Sequence, residues 1–201
     1  MRLILDLDGT LIDYRERACN LFLDLTNRAC TREFYFNQKS LGVSNHEILT
    51  KISTNAMRKE FNLQWRANIE SLDYLKFDEV FNGITNWLQD AYNQGIELYL
   101  CTARRDRNNL FLQLKKFQLV EFFTSIIVTY GNEKTKMLSN LLESKGKFDW
   151  IISDSPGDIV AGKKLGLMTC AVGSGFRSNE TLARYSPDLN LPSVLTFSLN
   201  K

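Results

Sequence analysis

Five short apolar runs constrain the fold most, because each is contiguous rather than alternating. They cover residues 2–6, with Leu3, Ile4 and Leu5 together, then 97–101, 125–129, 150–153 and 168–172. Strands of this kind are buried on both faces, as in a parallel sheet covered by helices. Helical spacing lies between the last four. Ile84, Leu88 and Ala91 recur at i, i+4 and i+7 before Gly95, and Leu110, Leu114 and Phe117 repeat the pattern with Asp106 as N-cap. Strand and helix in alternation predict an α/β doubly wound core.

Residues 14–77 break the alternation. They hold no recognisable buried strand, while Ala18, Phe22, Leu25 and Ala29 recur at i, i+4, i+7 and i+11, and Ile48 and Ile52 continue in helical style. Connections in α/β folds are usually short. So long a helical block after the first strand predicts an inserted helical cap at 14–77, on a core built from 1–13 and 78–201.

The first run ends in Asp6-Leu7-Asp8-Gly9-Thr10. Parallel strands carry their sites at their carboxyl ends. Carboxylates two residues apart repel each other unless a cation or a proton intervenes, although an Asp-Gly turn would explain one such pair. A second acidic pair changes the balance. Asp154 follows the run at 150–153, and Asp158 begins a helix on whose sheet-facing side Ala161, Gly162 and Leu165 also fall. A carboxylate on that face is costly unless it is paired or hydrogen-bonded. Asp6, Asp8 and Asp154 together supply hard oxygens at adjacent strand ends, the pattern of an open magnesium site completed by water and a substrate phosphate.

Positive charge is placed to match. Met137, Leu138, Leu141 and Leu142 make the apolar face of a helix that Asn132 and its neighbours precede; Lys134 shares that face and Lys136 does not. A lysine at a helix N-terminus opposes the macrodipole, so an inward one points to function. Thr102, after the second core strand, offers a hydroxyl at the same sheet edge.

Composition narrows the functional classes. Twenty-five basic against 23 acidic residues, net +2, do not suit a chain that coats nucleic acid or an anionic membrane. No window reaches about 18 uninterrupted apolar residues, so no membrane span is expected. Asp6 and Asp8 interrupt the apolar start before a secretory h-region forms. Cys19, Cys30, Cys101 and Cys170 make no C-x-x-C pair, and the one histidine is His46. Neither a structural zinc site nor a Cys/His catalytic pair is expected, and scattered thiols predict a reduced, cytoplasmic protein.

Taken in order, residues 6–10, Thr102, Lys134, and Asp154 with Asp158 resemble the four motifs of the haloacid dehalogenase-like superfamily, nearest to its phosphoglycolate-phosphatase-like branch with a helical cap. Residues 41–49 are similar to the family's substrate-facing cap segment and 173–188 to its closing segment. Two departures stand out: Thr135 follows Lys134 where many relatives have proline, and Ser153-Asp154 replaces Gly-Asp. The resemblance implies a Rossmann-like core and a phosphatase acting on a small phosphorylated metabolite, as a monomer or homodimer. It makes Asp6 the nucleophile that becomes an aspartyl-phosphate and Asp8 the general acid and base. It places Mg2+ on the carboxylates of Asp6 and Asp154 and the backbone carbonyl of Asp8, and puts Thr102 and Lys134 on the phosphoryl oxygens. Asp158 would orient Lys134 or a metal-bound water, and Gly9 and Thr10 would shape the turn.

Asn45, His46 and Arg104 are the candidates for substrate specificity. Arg15, Arg17, Arg58 and Arg105 either meet a second anionic group or are solvated. A β-phosphoglucomutase-like phosphotransferase shares every motif and stays open. A phospho-acceptor signalling domain fits less well, since its acceptor ends the third strand. A dehalogenase lacks an acid at the position of Asp8.

Overall fold

The computed structural model describes residues 1–52, 55–130, 134–145 and 149–199; Asn132 and the side chain of Arg58 lie outside that set. Its main sheet has six parallel strands in the order β5-β4-β1-β6-β7-β8. These are β1 (Arg2–Leu5), β4 (Glu97–Thr102), β5 (Ser125–Val128), β6 (Trp150–Ser153), β7 (Met168–Val172) and β8 (Leu189–Leu191). The five apolar runs supply the first five of these. The edge strand β8 escapes a reading by apolar runs, because three residues with Asn190 in the middle carry no such pattern.

Side-chain alternation along β1 divides the core. Leu3 and Leu5 face α6 (Ile84–Asn93) and α7 (Arg107–Lys116), in a cluster with Leu88, Leu98, Leu100, Leu110 and Leu114. Ile4 faces α8 (Lys134–Lys145) and α9 (Pro156–Lys164), with Tyr99, Leu138, Ile151 and Ala161. The α9 backbone lies close to the sheet: a Cβ at Gly162 would stand 2.4 Å from Ile151 Cγ2. As predicted, Asp106 caps α7, its Oδ1 accepting from the Asn109 N–H at 2.9 Å.

The helical block comprises α1 (Arg15–Leu25), α2 (Arg32–Ser40), α3 (Asn45–Ile52), α4 (Asn55–Asn68) and α5 (Leu72–Leu75). Its apolar faces meet in their own cluster, built on Ala18, Phe22, Tyr35, Ile48, Leu49 and Phe61. The chain enters and leaves the block through a two-stranded antiparallel ribbon of β2 (Ile12–Asp13) and β3 (Glu79–Val80), with Ile12 opposite Val80. One residue of the sheet side joins the helical cluster. Phe176, in the loop between β7 and α10 (Asn179–Ala183), packs edge-on against Tyr14 and Tyr35.

Candidate active site

The strand order reverses direction at β1: the chain builds β4 and β5 on one side, then crosses to β6, β7 and β8 on the other. Open α/β sheets bind ligands at such switch points, beyond the carboxyl ends of the strands. Asp6 follows β1 directly, and its N–H donates to Ile152 O on β6 at 3.0 Å. Asp154 follows β6, and Thr102 ends β4. A cleft of about 460 Å³ opens here, lined by Asp6, Ala103, Lys134, Thr135, Ser155, Gly157 and Asp158.

Lys134 is the first residue of α8 and is 9% exposed. Its Nζ donates to Asp6 Oδ1 at 2.9 Å and to Asp158 Oδ2 at 2.5 Å. Burial alone would favour the neutral amine, but Asp158 and Asp6 reverse that and push its pKa up, so it stays charged. Lys136 is exposed. Asp158 lies in the first turn of α9, which starts two residues before it at Pro156. It also accepts from Ser153 Oγ at 2.6 Å. Ser153, which the sequence marked only as a departure from Gly-Asp, therefore fixes Asp158 while accepting from the Ser155 N–H at 3.0 Å. Burial lifts the Asp6 carboxyl to about 6, against the pull of Lys134.

Asp154 is 3% exposed, and its Oδ2 is buried with no hydrogen-bond partner among the described residues. Glycines wall it in. A Cβ at Gly9 would lie 2.3 Å from that oxygen and one at Gly175 1.9 Å. Burial, and then Asp6, raise the Asp154 carboxyl well above its ordinary range. The Asp154 N–H donates to Thr10 Oγ1 at 3.2 Å. An orphaned carboxylate oxygen in a glycine cradle, with a second carboxylate acting on it, fits a hard divalent cation.

Asp8 departs from the reading of three converging carboxylates. Its side chain turns to Arg17 Nη2 at 2.6 Å and to Arg104 Nε and Nη2 at 2.6 and 2.8 Å. Among the described residues no three acidic, histidine or cysteine side chains gather as metal ligands. Burial would raise the Asp8 carboxyl, but Arg104 and Arg17 more than reverse this and hold it well below the usual carboxylate range. So placed, Asp8 is ionised but a weak base, and taking or giving a proton requires its release from the guanidiniums.

Arg104 does not face the cleft. It is 4% exposed and its Nη2 also meets Asp78 Oδ2 at 3.3 Å and Gln113 Oε1 at 3.2 Å. Arg17 is neither solvated nor free for an anion: its Nη1 stands 3.1 Å from Asp78 Oδ2. Its burial had one sequence signal, Leu21 at i+4 on the same stripe of α1. Arg15 pairs with Asp13 at 2.5 Å, and the Arg105 N–H donates to Glu70. Thr102 is buried behind Ala103, its Oγ1 accepting weakly from the Arg104 N–H at 3.4 Å. Asn45 opens α3, and its Oδ1 accepts from Tyr35 Oη at 3.2 Å. His46 is exposed.

Two aspartates after the central strand of a switch-point sheet, a buried lysine between Asp6 and Asp158, and a carboxylate in a glycine cradle thus gather at one sheet edge. The match with a family model settles the class: residues 3–172 fit haloacid dehalogenase-like hydrolases, and the chain belongs to that family. Among curated relatives, pyrophosphatase PpaX of Bacillus cereus (strain B4264) is 27% identical over 207 residues, covering 95% of this chain and 91% of its own. PpaX of Bacillus mycoides (strain KBAB4) is 26% identical, with coverages of 95% and 92%. A candidate phosphatase from Clostridium difficile has the same fold, with a TM-score of 0.77 at 20% identity, spanning 97% of this chain and 95% of that one. Among the described residues no helix is long and apolar enough to cross a membrane.

Proposed function

We propose that this hydrolase is a magnesium-dependent phosphatase that takes the phosphoryl group of a small phosphorylated metabolite onto Asp6. The observation that carries the reading is Lys134 Nζ bonded to both Asp6 and Asp158, and the orphaned oxygen of Asp154 supports it. The phosphatase and pyrophosphatase names of the relatives support it.

Asp6 Oδ attacks phosphorus in line, and the P–O bond to the leaving group breaks as the new one forms. Lys134 holds a phosphoryl oxygen at the mouth of the cleft, with Thr102 behind it. The first turn of α9, at Gly157, presents its backbone N–H to the same anion. Asp158 and Ser153 keep Lys134 in place. Released by Arg104 and Arg17, Asp8 gives the leaving oxygen its proton and then takes one from the water that cleaves the aspartyl-phosphate. Bound Mg2+, on Asp6, Asp154 and the Asp8 carbonyl, would neutralise the approach of two anions.

Residues 14–77 act as a cap over this cleft, moving on the β2–β3 ribbon and excluding water while the aspartyl-phosphate exists. The test is hydrolysis of p-nitrophenyl phosphate with and without magnesium. Wild type should turn over only with the metal, and Asp6→Asn, checked by mass against deamidation, should keep less than about a hundredth of the rate. Metal-independent turnover, or more than a tenth of the rate in the variant, contradicts the reading.

A further inference from the structure

Two cations near the site have no part in the chemistry above. Lys39 lies in the last turn of α2, in the helical block; Arg177 lies in the β7–α10 loop, on the sheet side. The two regions are tied together. The Ser178 N–H and Thr181 Oγ1 both donate to Ser40 O, at 3.2 and 3.1 Å, and Phe176 is buried against Tyr14, Tyr35 and Phe36. The same loop rests on the metal-fitting carboxylate, where Gly175 meets Asp154 Oδ2. Arg177 reaches across to the end of α2, where a Cβ at Gly42 would lie 3.9 Å from its Nε. After burial, its charge is what drives the Lys39 ammonium down to about 8.

Neither cation forms an ion pair with a carboxylate among the described residues. Lys39 Nζ donates to Val43 O at 3.1 Å and sits 5.7 Å from the Phe176 ring centroid. Glu47 is the acid that acts on Lys39, but it is exposed and its Oε2 is taken by the Ser44 N–H and Oγ at 2.8 and 2.7 Å. Like charges held together with no counter-ion raise the free energy of the site. An anion shared between them removes that cost through charge-assisted hydrogen bonds.

We propose that Lys39 and Arg177 form an anion subsite for the leaving group, so that this enzyme prefers substrates bearing a second anionic group beyond the phosphoryl group passed to Asp6. The proposal rests on the phosphatase reading above, which places one end of the substrate at Asp6 and Lys134. The second anion is a phosphoryl or a carboxylate group, since both present paired oxygens to a lysine and an arginine.

The experiment measures kcat/KM at fixed magnesium for pyrophosphate, phosphoglycolate and p-nitrophenyl phosphate, which has no second anion. Wild type should favour one of the first two, and which one it favours tells a phosphoryl partner from a carboxylate. In Lys39→Gln and Arg177→Gln the ratio of that kcat/KM to the value for p-nitrophenyl phosphate should fall at least about tenfold, chiefly through KM. Arg177→Lys should recover part of it. A wild type that favours neither diacid overturns the proposal. So does a loss shared equally by all three substrates, which a disturbed Asp154 or a misfolded variant would give. Turnover of p-nitrophenyl phosphate with an unmoved ratio removes the subsite alone; no turnover of any of the three removes the phosphatase reading as well.

Discussion

Lys134 and Lys136 stand two residues apart in one helical turn and have different fates. Lys134 Nζ is held between Asp6 and Asp158, whereas Lys136 points to solvent. Lys134→Ala should lower kcat/KM by about 10²–10³-fold, the scale of losing one preorganised donor to a developing charge. Lys136→Ala should stay within about twofold. Steady-state kinetics on the two variants decides the matter, and a larger loss at position 136 would refute the assignment. This pair was legible in the sequence because a helix turns a count of positions into a direction. Asp8 was legible only in part. Its partners Arg17 and Arg104 lie 9 and 96 residues away, and a charged residue on an amphipathic helix ordinarily faces water. Nothing local told that the acid nearest Asp6 would be engaged by two arginines.

Those arginines matter between elements as well. Asp78, at the entry to β3, receives Arg17 from α1, Arg104 from the loop after β4, and Gln113 Nε2 from α7 at 2.8 Å. Four segments, including both crossings between sheet and helical block, meet on one buried carboxylate. Asp78→Asn would leave two buried guanidiniums facing the single charge of Asp8. Breaking a buried ion pair on one side costs about 3–5 kcal/mol. The half-exposed pair of Asp13 with Arg15 sets the scale for a surface contact, so Asp13→Asn should cost less than about 1 kcal/mol. Chemical denaturation of both variants should show that gap. Equal losses would mean that the Asp78 network adds nothing beyond a surface pair. The five long strands of the sheet could be read from their apolar runs. The ribbon and β8 could not: two or three residues with one exposed face leave no periodic trace, and their pairing is set by tertiary neighbours.

For the molecule as a whole, the alternation of runs and helices was enough to foresee a doubly wound sheet, and the helical spacing after β1 was enough to foresee a run of helices there. How the two sides touch was not foreseeable. Phe176 carries no periodic signal in the sequence, yet it is 6% exposed and packs into the helical block's cluster from the loop that also carries Arg177. In the proposed mechanism the helical block shields a covalent intermediate on Asp6 and opens to release product. The most direct measurement is rapid acid quench during magnesium-supported turnover, followed by mass spectrometry of the peptides. The account predicts one phosphoryl group, labile to hydroxylamine, on the peptide carrying Asp6. A phosphoryl group on any other peptide of an enzyme caught in active turnover would contradict it.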